Sequence, residues 1–563
     1  MKKILILLLL FASLKSFAQT DPHQTPNALT TNPPDTASCS YGINSGYLAG
    51  GNWPDTSSAR LQYLLGAHST RTSNPEAYQE EIYGNTWALT RYQFNQNKLD
   101  FYNNTVFLNG MASDHTDTTI YNYPAVASGT TLYRSVLPKG LYTPIWNSDG
   151  TVDTANNYWA RYVYHMVVKY PGQFRYYEVW NEPDLGGGQG LYLPASDPKS
   201  YWQQPGEPQN YYNMYGHIFA YIRMLRITYE IVHVYAPQSK VVTGGIGYAQ
   251  TMDMILRYTD NPGSDGQGNP SKGAGTVTSA YPYYGGAWFD MCSLHDYPNY
   301  STHKYSNAIA GQVYLRNSDT LIKIFHDHLF GHNGIDSVVK AHGFNGATYP
   351  KKQYMFTEFD TQSVSDWNGP QNYGSDEMQL AYTIKQYLSA QKDGIVQLYK
   401  YSFADEGFLP PTAKNYTDNS NTYMGSYSCP DSIKNSNYSL VHKKPAGIAE
   451  TTISGLFFNY AYDSVATKNL NTDGVNFIGI AFTNSKVTPH ITRYAIWTEQ
   501  HNDKSESTTK YFTFPNSIKI SKAWTWNASK PGATDYLTDW TKYPSQTVYG
   551  QTVILNGLPK FFQ

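Results

Sequence analysis

Cysteine is scarce: three in 563 residues, too few for a disulfide framework. Charge is scarce too. Only 15% of residues are charged and the net charge is -2, so no basic surplus exists to attract nucleic acid or an anionic membrane. After the first twenty residues no run is apolar enough to span a bilayer, which argues against membrane insertion. Neither His-Glu-x-x-His nor an EF-hand-like loop occurs, and there is no phosphate loop or nucleotide fingerprint. No metal or cofactor is expected on that ground. No repeat period is visible, and oligomeric state is left open.

Aromatics are plentiful, at 15%, with 52 Tyr and 12 Trp. Rings suit stacking on sugars, but barrel and sandwich cores use them as well. Met1–Ala18 has the form of a signal peptide: Lys2 and Lys3, an apolar Ile4–Ala12, and Ser16-Phe-Ala18 before a cut ahead of Gln19. Residues 19–39, rich in Pro, Thr and Asn, read as a flexible leader. The expected mature product is soluble and either secreted or periplasmic.

From Tyr41 onward, short apolar strands alternate with helical patterns. The expected strands are Tyr41–Ser45, His68–Arg71, Asn104–Asn109, Phe174–Trp180, Lys240–Gly244, Trp288–Pro298, Gln353–Asp360 and Val396–Ser402. Between the third and fourth, Trp159, Tyr162, Val163, Met166, Val167 and Tyr170 recur at helical spacing, with Asp153 as a candidate cap. Ser318–Ala341 reads as one helical region and Pro445–Tyr460 as the last helix. Such alternation implies an α/β parallel barrel or a doubly wound sheet. The composition then changes. Val475–Thr483, His490–Glu499, Lys510–Phe514, Ile518–Trp526 and Gln551–Leu555 are short strands separated by turn residues. The expected architecture is a (β/α)8 TIM barrel over 40–460 followed by a β-sandwich over 462–563. Cys292 reads as a small core residue. Cys39 and Cys429 flank the first and last barrel strands and could pair in an oxidising compartment, a connectivity that sequence does not fix.

The chain is organised around Phe174-Arg-Tyr-Tyr-Glu-Val-Trp-Asn-Glu-Pro-Asp-Leu185. Pro183 cannot donate to a sheet ladder, so Asn181 and Glu182 fall where strand becomes loop. An indole, an amide and a carboxyl together can stack on a sugar, bond a hydroxyl and move a proton. Trp180-Asn-Glu-Pro183 resembles the acid/base motif of clan A retaining glycoside hydrolases. Glu178-Val-Trp-Asn-Glu-Pro-Asp-Leu185 is most similar to family 39 and its relatives.

That resemblance implies roles for particular residues. Glu182 would be the acid/base and Glu358, in Thr357-Glu-Phe-Asp360, the nucleophile. A pair about 5–5.5 Å apart gives retention through a covalent glycosyl-enzyme. Asn181 would bond the sugar 2-OH and Trp180 would lie against the ring. His295 and Tyr297 are two apart and face one side of a strand, near the nucleophile. Arg71 ends the second strand, where the clan places an arginine, and reads equally as a loop arginine. Glu178 shares strand parity with Glu182 and is a candidate buried partner for an arginine; Asp184 and Asp360 flank the motifs. The eighth strand departs from the clan pattern, with Tyr399, Tyr401 and Phe403 where a Trp is usual. The implied function is a secreted retaining O-glycosyl hydrolase acting on a plant or microbial polysaccharide or oligosaccharide. A non-catalytic glycan-binding protein and a retaining transglycosylase are the alternatives.

Overall fold

The computed structural model describes residues 40–44, 61–77, 87, 104–117, 137–185, 210–211, 213–214, 216–266, 272–298, 317–342, 352–363, 374–405, 423–428, 442–472, 476–500, 506–526, 537–539 and 552–563. The signal peptide and leader, Cys39, Cys429, and most of the loops 186–209 and 403–441 lie outside the described residues.

Eight parallel strands close a barrel. They are β1 (Ser40–Asn44), β2 (Ser69–Ser73), β3 (Thr105–Leu108), β4 (Tyr176–Val179), β5 (Lys240–Thr243), β6 (Met291–Asp296), β7 (Gln353–Phe359) and β8 (Gln397–Lys400). Each pairs with its sequence neighbours, and β8 pairs with β1. Helices cover the outside, as a parallel sheet buried on both faces requires. The helix after β3 is α1 (Tyr158–Lys169), which buries Trp159, Tyr162, Val163, Met166 and Val167. Its cap is Asn157, whose side chain accepts from Ala160 N; Asp153 instead closes the preceding turn by accepting from Ala155 N and Asn156 N. After β4 comes α2 (Ile218–Tyr235), and after β5 the short α3 (Ala249–Arg257). The region after β6 is two helices, α4 (Ser318–Phe330) and α5 (Ile335–His342), because the intervening turn runs through Gly331 and Gly334. A Cβ on either glycine would meet backbone carbonyl oxygens, at 2.3 Å and 2.6 Å. Finally α6 (Asp376–Lys392) follows β7 and α7 (Pro445–Phe457) follows β8.

The barrel interior is layered. Tyr176, Val242, Met291, Met355, Val396 and Tyr399 form an apolar cluster. Above them, toward the strand C-termini, Arg71, Glu178, Ser293 and Thr357 form a fully buried polar layer. Cys292 is buried in the core, and burial pushes its thiol up to about 12.

The C-terminal part has two sheets. One holds six strands: β9 (Ala461–Tyr462), β10 (Phe477–Asn484), β11 (Ile491–Thr498), β13 (Ala523–Trp526), β14 (Leu537–Asp539) and β16 (Lys560–Phe562). The other pairs β12 (Lys510–Thr513) with β15 (Thr552–Leu555). Ile496, Phe512, Phe514, Val553, Leu555 and Phe562 share one apolar cluster across both sheets.

Candidate active site

Three backbone features build the site at the C-terminal end of the barrel. The first is a bulge. Leu294 of β6 pairs with Phe356 of β7, but the next residue, His295, pairs with Glu358. The extra residue breaks the period of two. Met355 and Thr357 point inward by alternation, and the bulge turns Glu358 inward as well. The second feature is left-handed backbone after β4: Trp180 has φ 71° and Glu182 φ 45°. Each such residue costs about 1–2 kcal/mol, so the surroundings must hold it. They do: Glu182 N donates to Gly244 O at 2.8 Å, and Asn213 Nδ2 donates to the carbonyls of Asn181 (2.6 Å) and Glu182 (2.9 Å). The third is the pair Gly244-Gly245 after β5. A Cβ on Gly244 would lie 2.1 Å from Val179 O, and one on Gly245 2.3 Å from the His295 ring.

Glu358 sits among donors. Its Oε1 accepts from Asn44 Nδ2 (2.9 Å) and Arg71 Nη1 (2.7 Å), and its Oε2 from Tyr297 OH (2.6 Å). Burial alone would raise its pKa, but the charges of His295 and Arg71 and the bonds from Tyr297 and Arg71 outweigh that and hold it below the ordinary value. Arg71 is fully buried over the Phe107 ring. It donates to Glu178 through Nε (2.6 Å) and Nη2 (3.1 Å), and to Asn181 Oδ1 (2.8 Å).

Glu182 accepts from His295 Nδ1 at 2.8 Å, and the same nitrogen is 3.5 Å from Glu358 Oε2. Thr357 Oγ1 donates to Glu178 (2.8 Å), which leaves its lone pairs to accept from His295 Nε2 at 3.0 Å. One chain of bonds therefore runs Glu182–His295–Thr357–Glu178–Arg71–Glu358. Burial lowers the basicity of His295, but the charge of Glu358 and the hydrogen bond and charge of Glu182 outweigh it, so its pKa is raised. Among the described residues, Glu182, His295 and Glu358 also form the group whose ligand atoms lie close enough to share a cation, all within 4.8 Å of one another. The Arg71 guanidinium, 2.7 Å from Glu358, opposes a cation there.

The candidates Glu182, Glu358, Asn181, His295, Tyr297 and Arg71 thus converge at one mouth. Trp180 is 5% exposed and packs on Trp159, ring centres 6.1 Å apart, yet contributes to the wall of a cavity of about 350 Å³ beside Glu182. Asn109, Met111, Asn181, Leu185 and Asn213 also line it. Of the eighth-strand aromatics, Tyr399 bonds Thr105 inside the barrel (2.8 Å), Tyr401 meets Tyr297 edge-on (6.1 Å), and Phe403 is buried against Tyr427. Asp184 accepts from loop amides, and Asp360 pairs outside the barrel with Lys400 at 2.7 Å. Sequence reading passed over Asn44, Asn213 and Thr357. Asn44 ends β1 and Thr357 adjoins Glu358, positions that carry signal in a barrel; nothing local marks Asn213.

No protein-family model matches the chain, and no curated protein does. Among solved structures, the chain is similar to a family 39 glycoside hydrolase from the gut symbiont Bacteroides cellulosilyticus WH2, at 16% identity over 93% of this chain and 80% of that one, TM-score 0.49. It is similar to a family 51 alpha-L-arabinofuranosidase from Bifidobacterium longum, at 10% identity over 94% of this chain and 95% of that one, TM-score 0.48. It is also similar to a GH30 endoxylanase from Clostridium papyrosolvens C71, at 9% identity over 94% of this chain and 97% of that one, TM-score 0.45.

Proposed function

We propose that this chain is a retaining glycoside hydrolase using Glu358 as nucleophile and Glu182 as acid/base. The observation that carries the reading is the closeness of the two glutamates at the barrel mouth, where one carboxylate oxygen of each lies within 4.8 Å of the other and of a His295 ring nitrogen. An inverting pair stands about 6.5–9.5 Å apart to admit a water; a retaining pair is closer. The surroundings of the two carboxyls also differ. Glu358, with three donors, is kept ionised and able to attack an anomeric carbon. Glu182 borders the cavity, where a leaving group can take its proton.

In the first step Glu358 forms an ester with the anomeric carbon while Glu182 protonates the departing oxygen. Asn181, with its oxygen held by Arg71, turns its amide N–H₂ toward the sugar 2-OH. Once Glu358 is an ester its charge is gone, and Glu182 takes a proton from water to release the sugar with its configuration retained. In this reading residues 40–460 are the catalytic barrel, 462–563 a β-sandwich, and Met1–Ala18 directs export to a polysaccharide or oligosaccharide substrate.

The test is a panel of dinitrophenyl 2-deoxy-2-fluoro glycosides, which form the ester quickly and lose it slowly. One member of the panel is expected to add one glycosyl unit to the peptide containing Glu358. A stable label on another carboxylate, with Glu358 unmodified, contradicts the assignment.

A further inference from the structure

The segment 244–248 touches both the backbone and the imidazole that hold Glu182. Gly244 O receives the Glu182 N–H, and Gly245 lies against the His295 ring. Ile246 N donates to Ser293 O (3.0 Å), and Ile246 O accepts from His295 N (3.4 Å). A shift of this segment therefore moves both the backbone under Glu182 and the imidazole bonded to its carboxylate.

The far end of the segment is gripped on both sides of one residue. Gly247 N donates to Asp184, 3.1 Å from Oδ2, and Tyr248 N donates to the same oxygen at 3.1 Å. The Gly247 carbonyl accepts from His328 Nε2 of α4 at 2.9 Å. The other ring nitrogen, Nδ1, faces Asp296 Oδ1 at 3.2 Å. Asp296 is buried, and its second oxygen has no hydrogen-bond partner among the described residues.

We infer that His328 is a positioning residue for the acid/base glutamate, holding the 244–248 segment in place through the Gly247 carbonyl from outside the barrel. The inference rests on the proposed roles of Glu182 and Glu358. A neutral imidazole has one N–H, and both His328 nitrogens face acceptors, so only the imidazolium satisfies both. The surroundings favour that form. Burial opposes the charge, but the bond and charge of Asp296, the Gly247 carbonyl and the charge of Asp184 outweigh it. On its own helix the adjacent titratable groups are His326 and Asp327, an outward-facing pair 3.7 Å apart. Loss of the His328 proton at alkaline pH leaves a lone pair against either Gly247 O or Asp296, and the segment loses one anchor.

The test separates positioning from folding by leaving group. The wild type, His328→Leu and His328→Gln are compared on aryl glycosides of one sugar, from dinitrophenol to phenol. A misplaced acid hurts only leaving groups that need a proton. For His328→Leu, kcat/KM on the phenyl glycoside should fall on the order of 10–100-fold, with the dinitrophenyl glycoside within about 3-fold. His328→Gln keeps a neutral donor for the Gly247 carbonyl and should recover part of the loss, with a flatter alkaline limb. Equal losses across the series, or none, overturn the inference. Nitrogen-15 imidazole spectra of the wild type read the anchor without any substrate. Both His328 nitrogens protonated at neutral pH is the expected result, and a neutral tautomer overturns it. The label on Glu358 tests the nucleophile and the leaving-group dependence of Glu182→Ala tests the acid, so those failures are distinguishable from failure of the His328 inference.

Discussion

The barrel mouth and the seam between barrel and C-terminal sheet both bury ions, but they close their charges differently. At the seam Lys385 of α6 is fully buried. It meets Asp319 (2.9 Å), Glu506 (3.3 Å) and Ser318 Oγ (2.6 Å). Asp319 also accepts from Trp497 Nε1 and Gln500 N, both at 2.9 Å, and Glu506 accepts from Ser318 N at 3.0 Å. Asp319 takes donors from both sides of the joint, and Glu506 takes its two from the barrel side. At the mouth Arg71 plays the part of Lys385, between Glu178 and Glu358. There, however, Glu182 is bonded to a histidine and borders an open cavity. A residue list would not separate the two clusters. What separates them is a carboxyl left facing an open cavity.

The largest expected contrast comes from removing each central cation. Arg71→Met leaves Glu178 and Glu358 buried without their counter-charge, and Lys385→Met does the same to Asp319 and Glu506. Each should cost about 3–5 kcal/mol in denaturant unfolding. Arg71→Met should also lower kcat/KM by about 10³-fold or more, because placement and charge stabilisation of the proposed nucleophile are both lost. Lys385→Met should leave kcat of the folded fraction within about 2-fold. Equal effects on turnover would erase the distinction between mouth and seam.

A smaller effect is expected from Tyr297→Phe. It removes one of three donors to Glu358 and should lower kcat about 10–100-fold, while stability changes by about 1 kcal/mol. That bond helps hold the Glu358 pKa down. Its loss should move the acidic limb of kcat/KM to higher pH. An unmoved limb would reduce Tyr297 to a structural residue.

The smallest effects concern the pH dependence of stability, with opposite signs in the two regions. The Glu358 pKa is depressed, so its contribution is present above the unfolded value and lost as pH falls through the folded value. Burial, only partly offset by Lys385, raises that of Glu506. Its contribution is present below the unfolded value and lost as pH rises through the folded one. Thermal melts should show Glu358→Gln flattening the acid side and Glu506→Gln the side approaching neutrality. The same slope from both would contradict this assignment.

The barrel and much of the mouth were legible because their signals are local. Alternation of apolar strands with helical stripes needs a parallel sheet covered by helices. Pro183 marks the end of β4, and a spacing of two puts His295 and Tyr297 on one face. The rest depended on long-range fit. Strand alternation cannot reveal the bulge that turns Glu358 inward beside Thr357, because it appears only when β7 pairs with β6. Nor does Trp180 announce a left-handed backbone, or that its indole packs on Trp159. Asn157 wins the cap from Asp153 because it sits where α1 starts. In the C-terminal part the expected Ile518–Trp526 strand shortens to Ala523–Trp526, since ladder partners, and not composition, set its start.

Roles at the mouth can be assigned by removing each glutamate and supplying azide. With Glu358→Gly, azide takes the vacated place and displaces an activated leaving group once, giving a glycosyl azide of inverted configuration. With Glu182→Ala, Glu358 still attacks a dinitrophenyl glycoside, and the ester accumulates because water lacks its base. Azide needs no base, so a second displacement gives the azide with retained configuration. Opposite anomers from the two variants are the predicted result. Reversed anomers would exchange the two roles, and wild-type turnover in either variant would contradict the pair altogether.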